Sequence, residues 1–129
     1  MKKRKIKYYK AKNKTATNGM GFIVLLKEPI TITLPKEAQI GDRYEIYGGG
    51  NSLFKISCCP GTKQKIFIPD WNESEFLTSN IKIGTIGGTI ISTNINDCAE
   101  ILCIKGFNKE KETDATFLIS GIGEFINET

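Results

Sequence analysis

Histidine is missing from all 129 residues of the chain. A serine or cysteine nucleophile therefore lacks its usual base, and a zinc site lacks one of its two preferred ligand types. Asp70, Glu73 and Glu75 remain as an acidic group, and a glycoside hydrolase needs only two carboxylates. Three acids in a polar loop are more typical of a solvated surface. We therefore expect a protein that is not an enzyme, with no catalytic residue, metal or cofactor, and keep a hydrolase as the alternative.

The chain has few cysteines that could pair as metal ligands, because the spacing of its four cysteines does not suggest a metal site. Cys58 and Cys59 are adjacent, and Cys98 and Cys103 are five positions apart. On a strand, the two members of each pair would face opposite sides of the sheet. Zinc ligands instead come in pairs separated by two to four residues. The four cysteines are predicted to be reduced thiols that act as small hydrophobic side chains.

Long apolar segments are absent as well. No stretch approaches the roughly 20 apolar residues that a membrane-spanning helix needs. The basic start is not followed by the apolar core of a signal peptide, because Ile6 precedes Lys7, two tyrosines and another lysine. The sequence thus predicts neither a signal peptide nor a transmembrane segment.

Acidic residues are missing from the first 14 positions, which hold eight basic ones. Because the whole chain has a net charge of +4, the remainder carries −4. We interpret residues 1–17 as a basic flexible leader and residues 18–129 as one domain. An alternative function follows from the leader, which would bind nucleic acid or an anionic surface by charge. The residues assigned to that alternative are Lys2, Lys3, Arg4, Lys5 and Lys7.

Apolar residues recur at every second position in several short runs, such as Ile30, Ile32 and Leu34, or Phe54, Ile56 and Cys58. A period of two is the pattern of a half-buried strand. Turn-forming residues separate the runs by about 8 to 12 positions, as in sandwiches and barrels. Among these turns, Gly48 to Gly50 is predicted as a hairpin turn. The expected fold is all-β: an antiparallel β-sandwich or β-prism-like knob.

Two later runs, 98–105 and 115–120, are almost continuously apolar. Such runs are typical of strands that are buried on both faces. A domain of this size has too little mass to cover both faces by itself, so we expect a second copy of the chain to cover one of them.

An ordered set of segments resembles the C-terminal knob domains of bacteriophage tail fibres and related trimeric viral fibre proteins. The segments keep their order and spacing over residues 15–126, and they are Asn18–Ile23, Ile30–Pro35 with Ile40–Asp42, Ile46–Gly50 with Phe54–Ile56, Gln64–Ile66, Gly84–Thr93 with Asp97–Cys103, and Phe117–Glu124. The resemblance implies a homotrimer without a cofactor, located at a virion or fibre tip. It also implies that distal loops bind a cell-surface receptor, often a glycan. Without the resemblance, the expected location is the cytoplasm.

Trp71 is the only tryptophan and lies in a polar, loop-like segment. Such a ring either covers the core or stacks on a ligand such as a sugar. With Asn72, Tyr47 and Asn51, it forms the predicted receptor-binding set. Recognition would then occur in the loops and leave the strands to assembly.

Overall fold

The structure, a computed structural model, describes the backbone of residues 5–9, 13–15, 20–24, 29–70 and 80–128, and the side chains of 29–68 and 83–128. These residues form two sheets of β-strands, and no helix occurs among them. The strands are β1 Lys5–Tyr9, β2 Asn13–Thr15, β3 Met20–Val24, β4 Ile30–Thr33, β5 Arg43–Tyr47, β6 Phe54–Ser57, β7 Lys65–Asp70, β8 Asn80–Ile86, β9 Thr89–Ser92, β10 Cys98–Lys105, β11 Thr116–Ile122 and β12 Phe125–Asn127.

Seven strands form one sheet in the order β1-β3-β5-β10-β11-β7-β8, and five form the other in the order β12-β9-β6-β4-β2. The two sheets pack face to face around one core, which confirms the predicted β-sandwich. Along the strands, side chains that face the core alternate with side chains that face outward. Ile30 and Ile32 on β4, and Tyr44 and Ile46 on β5, are the buried ones. Burying each such side chain contributes about 1.5–3 kcal/mol.

The pairing is mixed, whereas the expected pairing was antiparallel. From β1 to β6, successive strands alternate between the two sheets, so neighbours within a sheet lie two strands apart and run parallel. Gly21 pairs with Glu45 in one sheet and Ile30 pairs with Phe54 in the other, which is the same offset of 24 positions. This part of the chain therefore winds as a flattened coil with two strands in each turn. Only the later strands pair mostly in the antiparallel sense.

Strands β1 and β2 fall inside the stretch that the sequence suggests is a leader. β1 pairs with β3 at the edge of the seven-stranded sheet, and β2 pairs with β4 at the edge of the five-stranded sheet. The leader sequence thus adds one strand to each sheet. A boundary between leader and domain near residue 17 stays a prediction.

Aromatic rings and buried thiols complete the core. Tyr44 packs against Phe117 with ring centroids 6.4 Å apart, and Phe54 packs against Phe125 at 6.2 Å. All four cysteines are free, and their faces follow the predicted alternation: Cys58 and Cys103 are buried, and Cys59 and Cys98 are half-buried.

Candidate functional site

Three loops meet at one end of the sandwich, which we call the loop end: residues 48–53, 93–97 and 123–124. The Gly48 amide donates to the Asp97 carbonyl at 2.9 Å, and the Gly50 amide donates to the Ile95 carbonyl at 2.9 Å. The Thr93 hydroxyl donates to the Glu124 carbonyl at 2.7 Å and so joins the third loop. These bonds hold the loops in one fixed surface.

The glycine run at the loop end differs from the predicted hairpin turn. It joins β5 in one sheet to β6 in the other, so it crosses the end of the sandwich. Two of its residues have a positive φ, 66° at Gly49 and 76° at Gly50, a conformation that glycine adopts without strain. Gly48 lies so close to the Ile95 carbonyl that a Cβ atom has no room there. The close approach of two loops therefore depends on glycine.

Asp97 organises the neighbouring loop from a buried position. Its carboxylate accepts hydrogen bonds from the Thr93 and Asn94 amides, both at 2.9 Å. The side chain is only 4% exposed, so these bonds compensate for its burial. The backbone of the loop 93–97 is therefore held in place beneath the side chains that point outward.

A shallow cleft of about 180 Å³ lies on the outer face of the seven-stranded sheet, close to the loop end. It is lined by Tyr47, Glu45 and Glu100, with Cys98, Ala99 and Gly121 completing the surface. The Tyr47 hydroxyl donates to Glu45 Oε2 at 2.8 Å. Glu45 and Glu100 are direct cross-strand partners, and Glu100 Oε1 lies 3.4 Å from Arg43 Nη1. The cleft thus combines one aromatic ring with two carboxylates.

Three exposed asparagines lie in the loops of the loop end: Asn51, Asn94 and Asn96. Asn51 Nδ2 donates to the Gly49 carbonyl at 3.2 Å, and Asn94 Oδ1 accepts from the Asn96 amide at 2.8 Å. Each side-chain amide has both donor hydrogens and an acceptor oxygen, and these two hydrogen bonds use only some of them. The loop end therefore has unused capacity for neutral hydrogen bonds.

Two of the four residues predicted to bind a receptor, Tyr47 and Asn51, are brought to the loop end. Trp71 and Asn72 lie outside the described residues, although they directly follow Asp70, the last residue of β7. Because β7 runs parallel to β11, Asp70 lies toward the end at which β11 meets the third loop. Of the alternative hydrolase set, Glu73 and Glu75 also lie outside the described residues.

The basic residues of the nucleic-acid alternative are only partly described. Lys5 and Lys7 lie in the edge strand β1. The structure describes their backbone but not their side chains. Lys2, Lys3 and Arg4 lie outside it altogether. The alternative therefore stays a prediction.

Sequence reasoning missed Glu45, Glu100 and Gly121 as neighbours of Tyr47. Glu45 lies two positions from Tyr47 on β5, so the alternation of the strand could have placed it on the same face. Glu100 and Gly121 come near Tyr47 only through the register in which β5 and β11 flank β10, and no local pattern marks them. Within the described parts of the chain, no group of three or more Cys, Asp or Glu side chains is placed to hold a metal ion.

No family model matches the chain, and no curated protein is significantly similar to it. Within the described strands and loops there is also no helix long and apolar enough to cross a membrane.

Proposed function

We propose that this chain is a non-enzymatic receptor-binding module of a viral or phage-like fibre tip, and that its loop end binds a cell-surface saccharide. The observation that carries the proposal is the cleft in which the Tyr47 ring lies beside the carboxylates of Glu45 and Glu100. Recognition of this kind needs a preformed surface, and the bonds among the three loops provide one.

The chemistry of the loop end fits a polyhydroxylated ligand. A sugar ring has an apolar face that can stack on an aromatic ring, and its hydroxyl groups both donate and accept hydrogen bonds. Tyr47 supplies the ring, Glu45 and Glu100 supply acceptors, and the asparagine amides supply both kinds of group. Concave sites of this type pair an apolar surface with a few polar groups that fix orientation.

The outer faces of the two sheets differ, and this difference supports assembly into a homotrimer. The five-stranded sheet shows mostly polar side chains to the outside, including Thr31, Thr33, Lys55, Ser57 and Thr89. Lys55 there also forms a salt bridge with Glu128 at 2.7 Å. That face, apart from Ile91 and Ile126 near its β12 edge, is suited to water.

The outer face of the seven-stranded sheet carries an apolar row instead. Cross-strand register aligns Leu102 on β10, Leu118 on β11, Phe67 on β7 and Ile83 on β8. The first three are half-buried, and Ile83 is 51% exposed. A contiguous apolar patch on a small domain marks an interaction surface. Packing this row against two further copies around a threefold axis would remove it from water.

The apolar row and the cleft adjoin on the same outer face of the sheet. On β10, Glu100 lines the cleft, and Leu102, two positions further along, belongs to the row. Tyr47 and Glu45 lie on β5, outside the strands of the row, so we expect assembly through the row to leave their side of the cleft open to a ligand.

The test is saccharide binding to the full chain, measured on a glycan array and by NMR titration with a panel of methyl glycosides. We expect shifts at Tyr47 and Asn51, and we expect Tyr47→Ala to weaken binding about tenfold or more because the stacking ring is lost. Tyr47→Phe keeps the ring and loses one hydrogen bond, so its dissociation constant should change by less than about threefold.

Thr31→Ala, on the polar outer face, is the matched control and should bind as the wild type does. Wild-type affinity in Tyr47→Ala would overturn the assignment of the site. Release of a cleaved sugar from a bound oligosaccharide would show that the chain is a hydrolase.

A further inference from the structure

A second cleft, of about 390 Å³, opens at the opposite end of the sandwich, between the loops 34–42 and 58–64 and the β10–β11 hairpin. Its lining includes Lys36, Thr62, Phe107, Lys109, Glu112 and Asp114. It is about twice the volume of the cleft beside Tyr47. Nothing in the proposed function uses it.

The three segments that form the walls of the cleft are held together by hydrogen bonds. Asn108 and Thr113 exchange two backbone hydrogen bonds, of 3.0 and 3.1 Å, which close the hairpin. The Phe107 amide donates to the Ala38 carbonyl at 2.9 Å. The Lys63 amide donates to Asp114 Oδ2 at 2.7 Å and ties the third wall to the hairpin. A ligand would therefore meet a preformed shape.

Phe107 gives the cleft an aromatic surface. Its ring is half-buried, and the ammonium of the exposed Lys36 lies 6.0 Å from the ring centroid. An exposed cation–π contact of this length is weak, so the lysine side chain can move aside for a ligand that stacks on the ring. The displaced ammonium would still be close enough to donate a hydrogen bond.

Glu112 has a backbone conformation that is unusual for a residue other than glycine. Its φ of 52° makes it the single non-glycine residue with positive φ in the part of the chain that the structure describes. Glycine or asparagine fits this position of a hairpin loop with less strain, so glutamate is costly there. Strain of this kind is common where a side chain is needed for binding, and the Glu112 side chain lines the cleft.

The charges around the cleft are nearly balanced. Two lysines, Lys36 and Lys109, face three carboxylates, those of Glu37, Glu112 and Asp114. A site for phosphate would carry an excess of positive charge, and a site for a cation would carry a larger negative excess. Balanced donors and acceptors around an aromatic ring instead fit a ligand whose groups donate and accept equally.

From this arrangement we infer that the hairpin cleft is a second saccharide site, in which Phe107 stacks on a sugar ring while Glu112 and Asp114 accept hydrogen bonds from its hydroxyl groups. The inference concerns a different end of the molecule and does not depend on ligand binding at Tyr47. Two sites at opposite ends would let one chain engage two sugars of a branched or repeating glycan.

The experiment is an NMR titration of the full chain with methyl glycosides and N-acetylneuraminic acid, followed at the backbone amides. We expect shifts at 107–114 and at Thr62, and we expect Phe107→Leu to raise the dissociation constant at this site about tenfold. Glu112→Gly removes the strained side chain, so it should also weaken binding while the melting temperature stays the same or rises. Lys111→Ala, on the same exposed turn, is the control.

Gly61 offers an independent variant because it forms the rim of the cleft. Its φ of 79° is a conformation that strains asparagine less than other side chains, and an added Cβ meets no atom within 4 Å. We therefore expect Gly61→Asn to fold with a modest loss of stability and, by adding a side chain at the rim of the cleft, to lower the affinity. Wild-type shifts confined to 47–51 would overturn this inference and leave the proposed function intact, and shifts confined to 107–114 would do the reverse. Binding of inorganic phosphate or ethylammonium at least as tight as that of every sugar would also overturn it.

Discussion

At the scale of single residues, the core contains three ionisable groups that burial keeps neutral. Desolvation raises the pKa of Cys58 and of Cys103 to about 11 in each case, from an ordinary value of 9.0. Burial also raises the pKa of Tyr44, with a further contribution from the nearby Asp42 carboxylate. These groups stabilise the fold only while they stay protonated.

We therefore expect alkaline pH to destabilise the protein in a defined window. Below pH 9 the thiols are neutral in both the folded and the unfolded state, so stability does not change there. Between pH 9 and pH 11 only the unfolded chain loses their protons, which lowers the free energy of unfolding by about 2 kcal/mol for each thiol. Urea unfolding at pH 8 and at pH 11 measures this loss.

The double variant Cys58→Ala with Cys103→Ala is the matched control, since it retains the contribution of Tyr44. It should be less stable than the wild type at pH 8 but should lose about 4 kcal/mol less between the two pH values. Equal losses in both proteins would show that the two thiols do not titrate as described.

At the scale of strands, the sequence pattern predicts which residues face the core but not which strands pair. The alternating residues Ile30, Ile32 and Leu34 are all buried, as expected from a period of two. The parallel coil was missed because the 24-residue offset between paired strands is set by loop lengths and leaves no repeat of residue types. For the same reason, the predicted receptor-binding set contains Tyr47 but not Glu100, which only the strand register brings near it.

The continuous apolar run of β10 is a second feature whose surroundings the sequence pattern does not predict. The described chain buries Ala99, Ile101 and Cys103 on the inner face, while Leu102 is half-buried and Ile104 is 39% exposed on the outer face. The described residues of one copy therefore cover only one side of this strand fully. The expectation that further copies cover the other side stays a prediction, with the apolar row as its surface.

Leu118→Glu tests that surface, because it places a charge in the middle of the apolar row. Burying an unpaired carboxylate between subunits is strongly unfavourable, so the variant should lose the trimer while keeping the far-UV circular dichroism of a β-protein. Thr31→Glu puts the same charge on the polar face of the other sheet and should leave assembly unchanged. Loss of assembly in both variants, or in neither, would contradict the assignment of the interface.

At the scale of the whole molecule, the sandwich separates three surfaces. One end carries the loops with Tyr47 and Asn51, the other end carries the cleft of the β10–β11 hairpin, and one outer face carries the apolar row. The row lies between the two ends, on the outer face that also carries the cleft beside Tyr47, so the proposed recognition and the proposed assembly use neighbouring parts of that face. The separation follows from the topology, in which β5 and β10 connect the two ends through the centre of the larger sheet.

The mass of the wild-type chain in solution tests this account most directly. Sedimentation equilibrium at micromolar concentration should give three times the 14.3 kDa of one chain. A mass of 14.3 kDa at the same concentration would contradict the account, because the apolar row would then remain in water without a partner.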